Sequence, residues 1–171
     1  MEARATLFGH SIHQMLIPFP FGLLATGVIF DIVRISGGAP KFSEIAYWMI
    51  VAGVIGGLVA APFGTADWTK IPSGTRAKRI GALHGIGNVV LVVLFAGSWW
   101  LRSGDPMTPS SLAYALSFIG VVLALVTGWL GGELVDRLGV GVDNGAHVDA
   151  PSSLSGQPAS ADASTSRSAR A

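Results

Sequence analysis

IGALHGIGNVVLVVLFAGSWWL, from Ile80 to Leu101, carries no charged residue, and two of its few polar side chains, His84 and Asn88, sit one helical turn apart. A helix of about 20 apolar residues crosses the hydrocarbon of a bilayer at about 1.5 Å per residue. The stretch therefore reads as a membrane span. Three more segments share its character: Met15 to about Val33, Ile45 to Ala66 and Ser111 to Gly132. Half of the residues are hydrophobic and only 12% are charged. Soluble domains carry roughly a quarter charged residues, so the expected fold is an all-α, integral membrane four-helix bundle over residues 1–142.

The segments between the spans support that division. Pro18 and Pro20 suit the first turn of a helix, where the missing N–H groups would lack partners anyway. Gly37, Gly38 and Pro40 make one turn, and Gly104, Asp105 and Pro106 another. The second helix is expected to end at Pro62-Phe63-Gly64, where a proline and a glycine weaken the last turn. From Asp143 to Ala171 the chain turns to Ser, Ala, Asp and Gly, too little apolar surface to offset chain entropy, so this tail is expected to be disordered. The opening residues lack the pattern of a cleavable signal peptide, so the first span reads as a retained helix.

Four spans put both termini and the second loop on one side. That side holds Arg4, Lys70, Arg76, Lys78, Arg79 and Arg137, with Arg167 and Arg170 in the tail; the other has Arg34, Lys41 and Arg102. The excess of positive charge predicts a multi-pass cell (inner) membrane protein with both termini cytoplasmic. Gly56, Ala60 and Gly64 form a small-residue ridge on the second span, and Gly120, Ala124, Gly128 and Gly132 one on the fourth. Small residues allow close backbone approach where lipid removes the hydrophobic incentive to associate. The two ridges are expected to meet each other or a second copy of the chain. Asp31 and Arg34 read as an ordinary interfacial pair.

His10, His13, Asp67, His84, Asn88 and Glu133 all fall towards the end with the termini. A helical segment would turn His10 and His13 the same way, giving a half-site for Zn, Cu or Fe. His84 lies about 7 Å inside Arg79 along its helix, a depth at which a polar side chain should face the bundle interior. It reads either as a haem or metal ligand backed by Asn88 or as an interhelical hydrogen bond. Glu133 could join the cluster or simply pair with Arg137 at i+4, and Asp67 could cap its loop or point at the same site.

The absence of cysteine excludes disulfides, thiolate metal sites and covalently attached c-type haem. No phosphate-binding loop, dinucleotide fingerprint or nucleophile elbow occurs, so independent catalytic activity is not expected. The basic second loop reads as topology and contact with anionic lipid, with no nucleic-acid partner.

The segments Gly9 to Gly22, Gly64 to Trp68, Leu83 to Asn88 and Thr127 to Val135, followed by Gly139 to Val142, together resemble the DUF2231 family of bacterial membrane proteins. The resemblance implies four membrane helices and no assigned activity. Some relatives are joined to Rieske iron–sulfur domains, which implies redox company. The cysteine-free residues here contain no such domain. The family often has a histidine where Leu138 stands. Two functions follow as expectations. One is a membrane redox subunit holding haem b or a transition metal, with His13, His84 and Asn88 at the cofactor and His10, His13, His84, Asp67 and Glu133 as the metal set, beside a redox protein or other membrane subunit. The other is a non-catalytic scaffold or accessory subunit, and a homo-oligomer fits either.

Overall fold

The computed structural model describes residues 1–162. Four helices are long and apolar enough to cross a membrane, over Ile12–Ile35, Lys41–Lys70, Arg76–Arg102 and Ser111–Arg137. The first span is two pieces, α1 (Ile12–Leu16) and α2 (Pro18–Ile35). Pro18 and Pro20 cannot donate to the carbonyls of Gln14 and Leu16, so the ladder thins there, while Ile17 N–H still reaches His13 O at 3.1 Å. The remaining helices are α3 (Lys41–Lys70), α4 (Arg76–Arg102) and α5 (Ser111–Gly132), the last running into a wide π turn over Glu133–Arg137. α3 passes through Pro62 and Gly64 without ending, because packing in a bundle tolerates an interior proline.

A small hairpin precedes the helices. β1 (Thr6–Leu7) pairs antiparallel with β2 (His10–Ser11) around Phe8 and Gly9, whose φ values of 52° and 84° are both left-handed. That pair of conformations is the tight primed turn that closes two-residue hairpins. It removes His10 from any helix, so His10 and His13 do not share a helical face. Residues 143–162 form successive turns with a single 3-10 turn at Ser153–Ser155. The expectation of a disordered tail also covers 163–171, which lie outside the described residues.

Each helix packs on its sequence neighbours, and α2 closes the ring against α5. The closest pairs are α2 with α3 and α4 with α5, so the bundle is two helical hairpins side by side. The core between them is Leu24, Val28, Ile50, Val54, Leu91, Phe95 and Ala124. Ile29, Leu58, Val93 and Leu125 point outward and are each more than half exposed, a surface suited to lipid tails. The two small-residue ridges do not meet. Gly56 faces Pro20 of the first span, Gly120 faces the Phe95 ring, and Gly128 faces Phe21. Each small residue admits a side chain from an adjacent helix, which explains the altered pairing.

The end away from the termini is locked by charge. Arg102, the last residue of α4, donates to both carboxylate oxygens of Asp31 at 2.7 and 2.6 Å, with neither side chain exposed. Its Nε donates to Ser98 Oγ at 3.1 Å, and Ser117 Oγ donates to Asp31 Oδ2 at 3.0 Å. The Tyr114 ring lies 5.1 Å from the guanidinium carbon. Asp31 is thus joined to Arg102 across the bundle, and Arg34 turns to Gly38 O at 3.3 Å. The expected Asp31–Arg34 pair does not form, because a bidentate guanidinium on another span uses both oxygens of the carboxylate. Outside the membrane, Asp105 holds the next loop by accepting from Thr108 Oγ1 and Met107 N–H, which keeps its carboxyl below the usual range.

Removing one partner of a buried pair strands the other charge and costs about 3–5 kcal/mol. Arg102→Met should therefore lower stability by about that much in detergent, read as unfolding followed by circular dichroism. The double variant Arg102→Met, Asp31→Leu should recover most of the loss. A single variant as stable as the parent would contradict the lock.

Candidate functional site: two facing histidines

At the end with the termini, His13 and His84 face each other from diagonal spans, ring centroids 6.5 Å apart and planes at 88°. Each imidazole is seated in the same way. His13 Nδ1–H donates to Ala60 O of α3 at 3.0 Å, and His84 Nδ1–H donates to Thr127 O of α5 at 2.9 Å. A carbonyl can only accept, so both rings carry their proton on Nδ1 and leave Nε2 as the basic nitrogen.

A helical carbonyl already faces the N–H four residues on, so an outside ring reaches it only past a small residue there. That residue is glycine in both seats. A Cβ on Gly64 would lie 2.6 Å from His13 Cε1, and one on Gly131 would lie 3.2 Å from His84 Cε1. The spacings Ala60-x-x-x-Gly64, which reads in the sequence as part of a helix-packing ridge, and Thr127-x-x-x-Gly131, beside the ridge of the fourth span, are seats for imidazoles. The two helical hairpins thus repeat one device, a histidine on the first helix resting on a carbonyl–glycine step of the second.

The seats differ at Nε2. Asn88, one turn along α4, donates its amide to His84 Nε2 at 3.1 Å. His13 Nε2 has no hydrogen-bond partner among the described residues.

The other polar residues of this end are engaged elsewhere. Asp67 is buried and accepts from Arg4 N–H at 2.6 Å, Ala5 N–H at 3.3 Å and Ser11 Oγ at 3.3 Å. It fastens the N-terminal segment across the bundle, helped by Lys70 Nζ on Ala3 O at 3.5 Å. Glu133 pairs with Arg76 at the start of α4 at 2.5 Å, not with Arg137, because the π turn widens the helix and α4 packs alongside. His10 is exposed and lies 3.5 Å from Ser153 Oγ. Among the described residues no three of His, Asp and Glu converge to hold a metal ion, so His10, His13, His84, Asp67 and Glu133 do not form one ligand set. His13 and His84 with Asn88 are what the fold brings together. The residues that sequence reading missed are Thr127, Gly131 and Ala60, whose contribution is a carbonyl or a missing Cβ. Their small-x-x-x-small rhythm was the available signal.

Four apolar helices and a polar pair facing across one end define a polytopic membrane protein. The chain belongs to the family described as Predicted membrane protein (DUF2231), which it matches over residues 9–144. No curated protein and no solved structure matches it.

The glycine seats make a direct test. Gly64→Ala must displace the His13 ring and should cost about 1–3 kcal/mol of stability. Gly85→Ala meets nothing within 4 Å and should be neutral or stabilising by a few tenths to about 1 kcal/mol. Equal melting temperatures for the two variants would contradict the seating.

Proposed function

We propose that His13 and His84 form a two-imidazole ligand site, for a haem b iron or a transition-metal ion, in a subunit of a bacterial membrane redox system. The observation that carries this reading is the facing pair, each ring oriented through Nδ1 by a backbone carbonyl. Such a hydrogen bond is the usual support of a ligating imidazole, because it fixes the tautomer and raises basicity at Nε2. Metal–nitrogen bonds of about 2.0–2.1 Å hold two nitrogens that share an ion within about 4 Å of each other. Imidazole centroids 6.5 Å apart leave the two rings within reach of a shared ion. His10, Asp67 and Glu133 stay at the margin in this reading, as surface and structural groups. Asn88 competes with the ligand, since its amide occupies the nitrogen that would coordinate.

The basic residues at the end with the termini support cytoplasmic termini in the inner membrane. A redox protein or another membrane subunit would meet the site from that side.

The bond from Asn88 to His84 Nε2 favours a second reading, in which each histidine ties the two helices of its own hairpin together in a non-catalytic scaffold. The two are separated by spectra. Protein purified in mild detergent from haem- and metal-replete cells should show a Soret band or about one bound metal ion per chain, lost in His13→Ala and His84→Ala. Asn88→Ala should raise occupancy, because it frees Nε2. Colourless, metal-free protein whose His84→Gln variant loses only thermal stability would establish the scaffold instead.

A further inference from the structure

Beyond the histidine pair, the cytoplasmic end of the fourth span carries a second feature, and we propose that it binds the headgroup of a phospholipid bearing both a phosphate and a primary ammonium, such as phosphatidylethanolamine. Trp129, Gly132, Glu133, Asp136 and Arg137 enclose a notch of about 360 Å³ where α5 opens into the π turn. Its charges are unevenly used. Glu133 is neutralised by Arg76. The side chains of Asp136 and Arg137 have no ion-pair or hydrogen-bond partner among the described residues. Adjacent positions on a helix do not face one another, so this carboxylate and guanidinium are not paired with each other, and both line the notch.

The place suits a lipid. Trp129 is 65% exposed on the outer surface of the bundle, and its indole N–H has no partner among the described residues. Tryptophan with an apolar face and one donor settles at the headgroup level. Arg137 lies about two turns beyond it, at the end of the π turn and on the water side. Gly132 has no Cβ, so the floor between them is bare backbone reached only by Asp136 Oδ2, 4.0 Å from where a Cβ would be. A phosphate would accept from the Arg137 guanidinium, an ammonium would donate to Asp136, and the Trp129 indole would lie beside the glycerol and upper acyl chains. The same wall distinguishes headgroups. A trimethylated ammonium cannot donate to Asp136, and a glycerol headgroup brings no positive charge to it.

Native mass spectrometry of the detergent-purified full chain with an equimolar mixture of phosphatidylethanolamine, phosphatidylcholine and phosphatidylglycerol of identical acyl chains tests this. Phosphatidylethanolamine adducts should dominate. Asp136→Asn should reduce them roughly tenfold, to the level of phosphatidylcholine, and Arg137→Gln should reduce all three lipids. Quenching of tryptophan emission by brominated phosphatidylethanolamine should exceed that by brominated phosphatidylcholine, and the difference should vanish in Trp129→Phe. Equal retention of the three lipids by the parent protein, or retention unchanged in both charge variants, overturns the assignment.

Discussion

The guanidinium of Arg102 and the carboxylate of Asp31 meet with neither group exposed, and that contact states the constraint on every other polar residue of the bundle. No water is present in hydrocarbon to satisfy a stray donor, so each must find its partner inside. Charge, hydroxyl and carbonyl are all used for this. Ser98 and Ser117 complete the arginine's bonds at one end. Backbone oxygens of Ala60 and Thr127 take the imidazole protons at the other. The middle is packed by Leu24, Val28, Ile50, Val54, Leu91, Phe95 and Ala124.

The Arg102 site and the histidine site differ in how completely they are satisfied. At the Arg102 site a bidentate pair, two serines and an aromatic face engage every side-chain nitrogen, which makes it a clamp. The histidine end is built from the same rule but stops short, because His13 keeps a basic nitrogen with no partner among the described residues. A polar atom held in place yet uncommitted, within a membrane bundle, is the kind of group that ligands use. Asp67 matters here indirectly. By holding Arg4, Ala5 and Ser11 it folds the N-terminal segment over the bundle end and fixes where α1 begins, and therefore where His13 points.

Glycine links the fold to the site. Gly64 and Gly131 each stand four residues after the carbonyl that an imidazole reaches, and each would collide with or crowd that imidazole if it carried a Cβ. In lipid, small residues at this spacing signal close approach. The approaching group here is a histidine from the neighbouring helix. Repetition of this seat in both helical hairpins is what sets the two rings opposite each other across the bundle axis.

The four spans, the shared side of the termini and the depth of His84 and Asn88 were legible in the chain, since helix length and hydropathy are local properties and burial of polar groups in lipid admits few solutions. Family likeness was legible for the same reason: its signatures are short runs around those residues. The partners were not. Asp31 reads naturally with Arg34 one turn away, yet Arg102, seventy-one positions distant, takes both its oxygens. Glu133 reads with Arg137, yet Arg76 takes it. His10 reads with His13 until a left-handed turn at Phe8 and Gly9 places it on a strand. A partner is decided by which helix packs against which, and that depends on summed side-chain shape across the bundle, a quantity no local window contains.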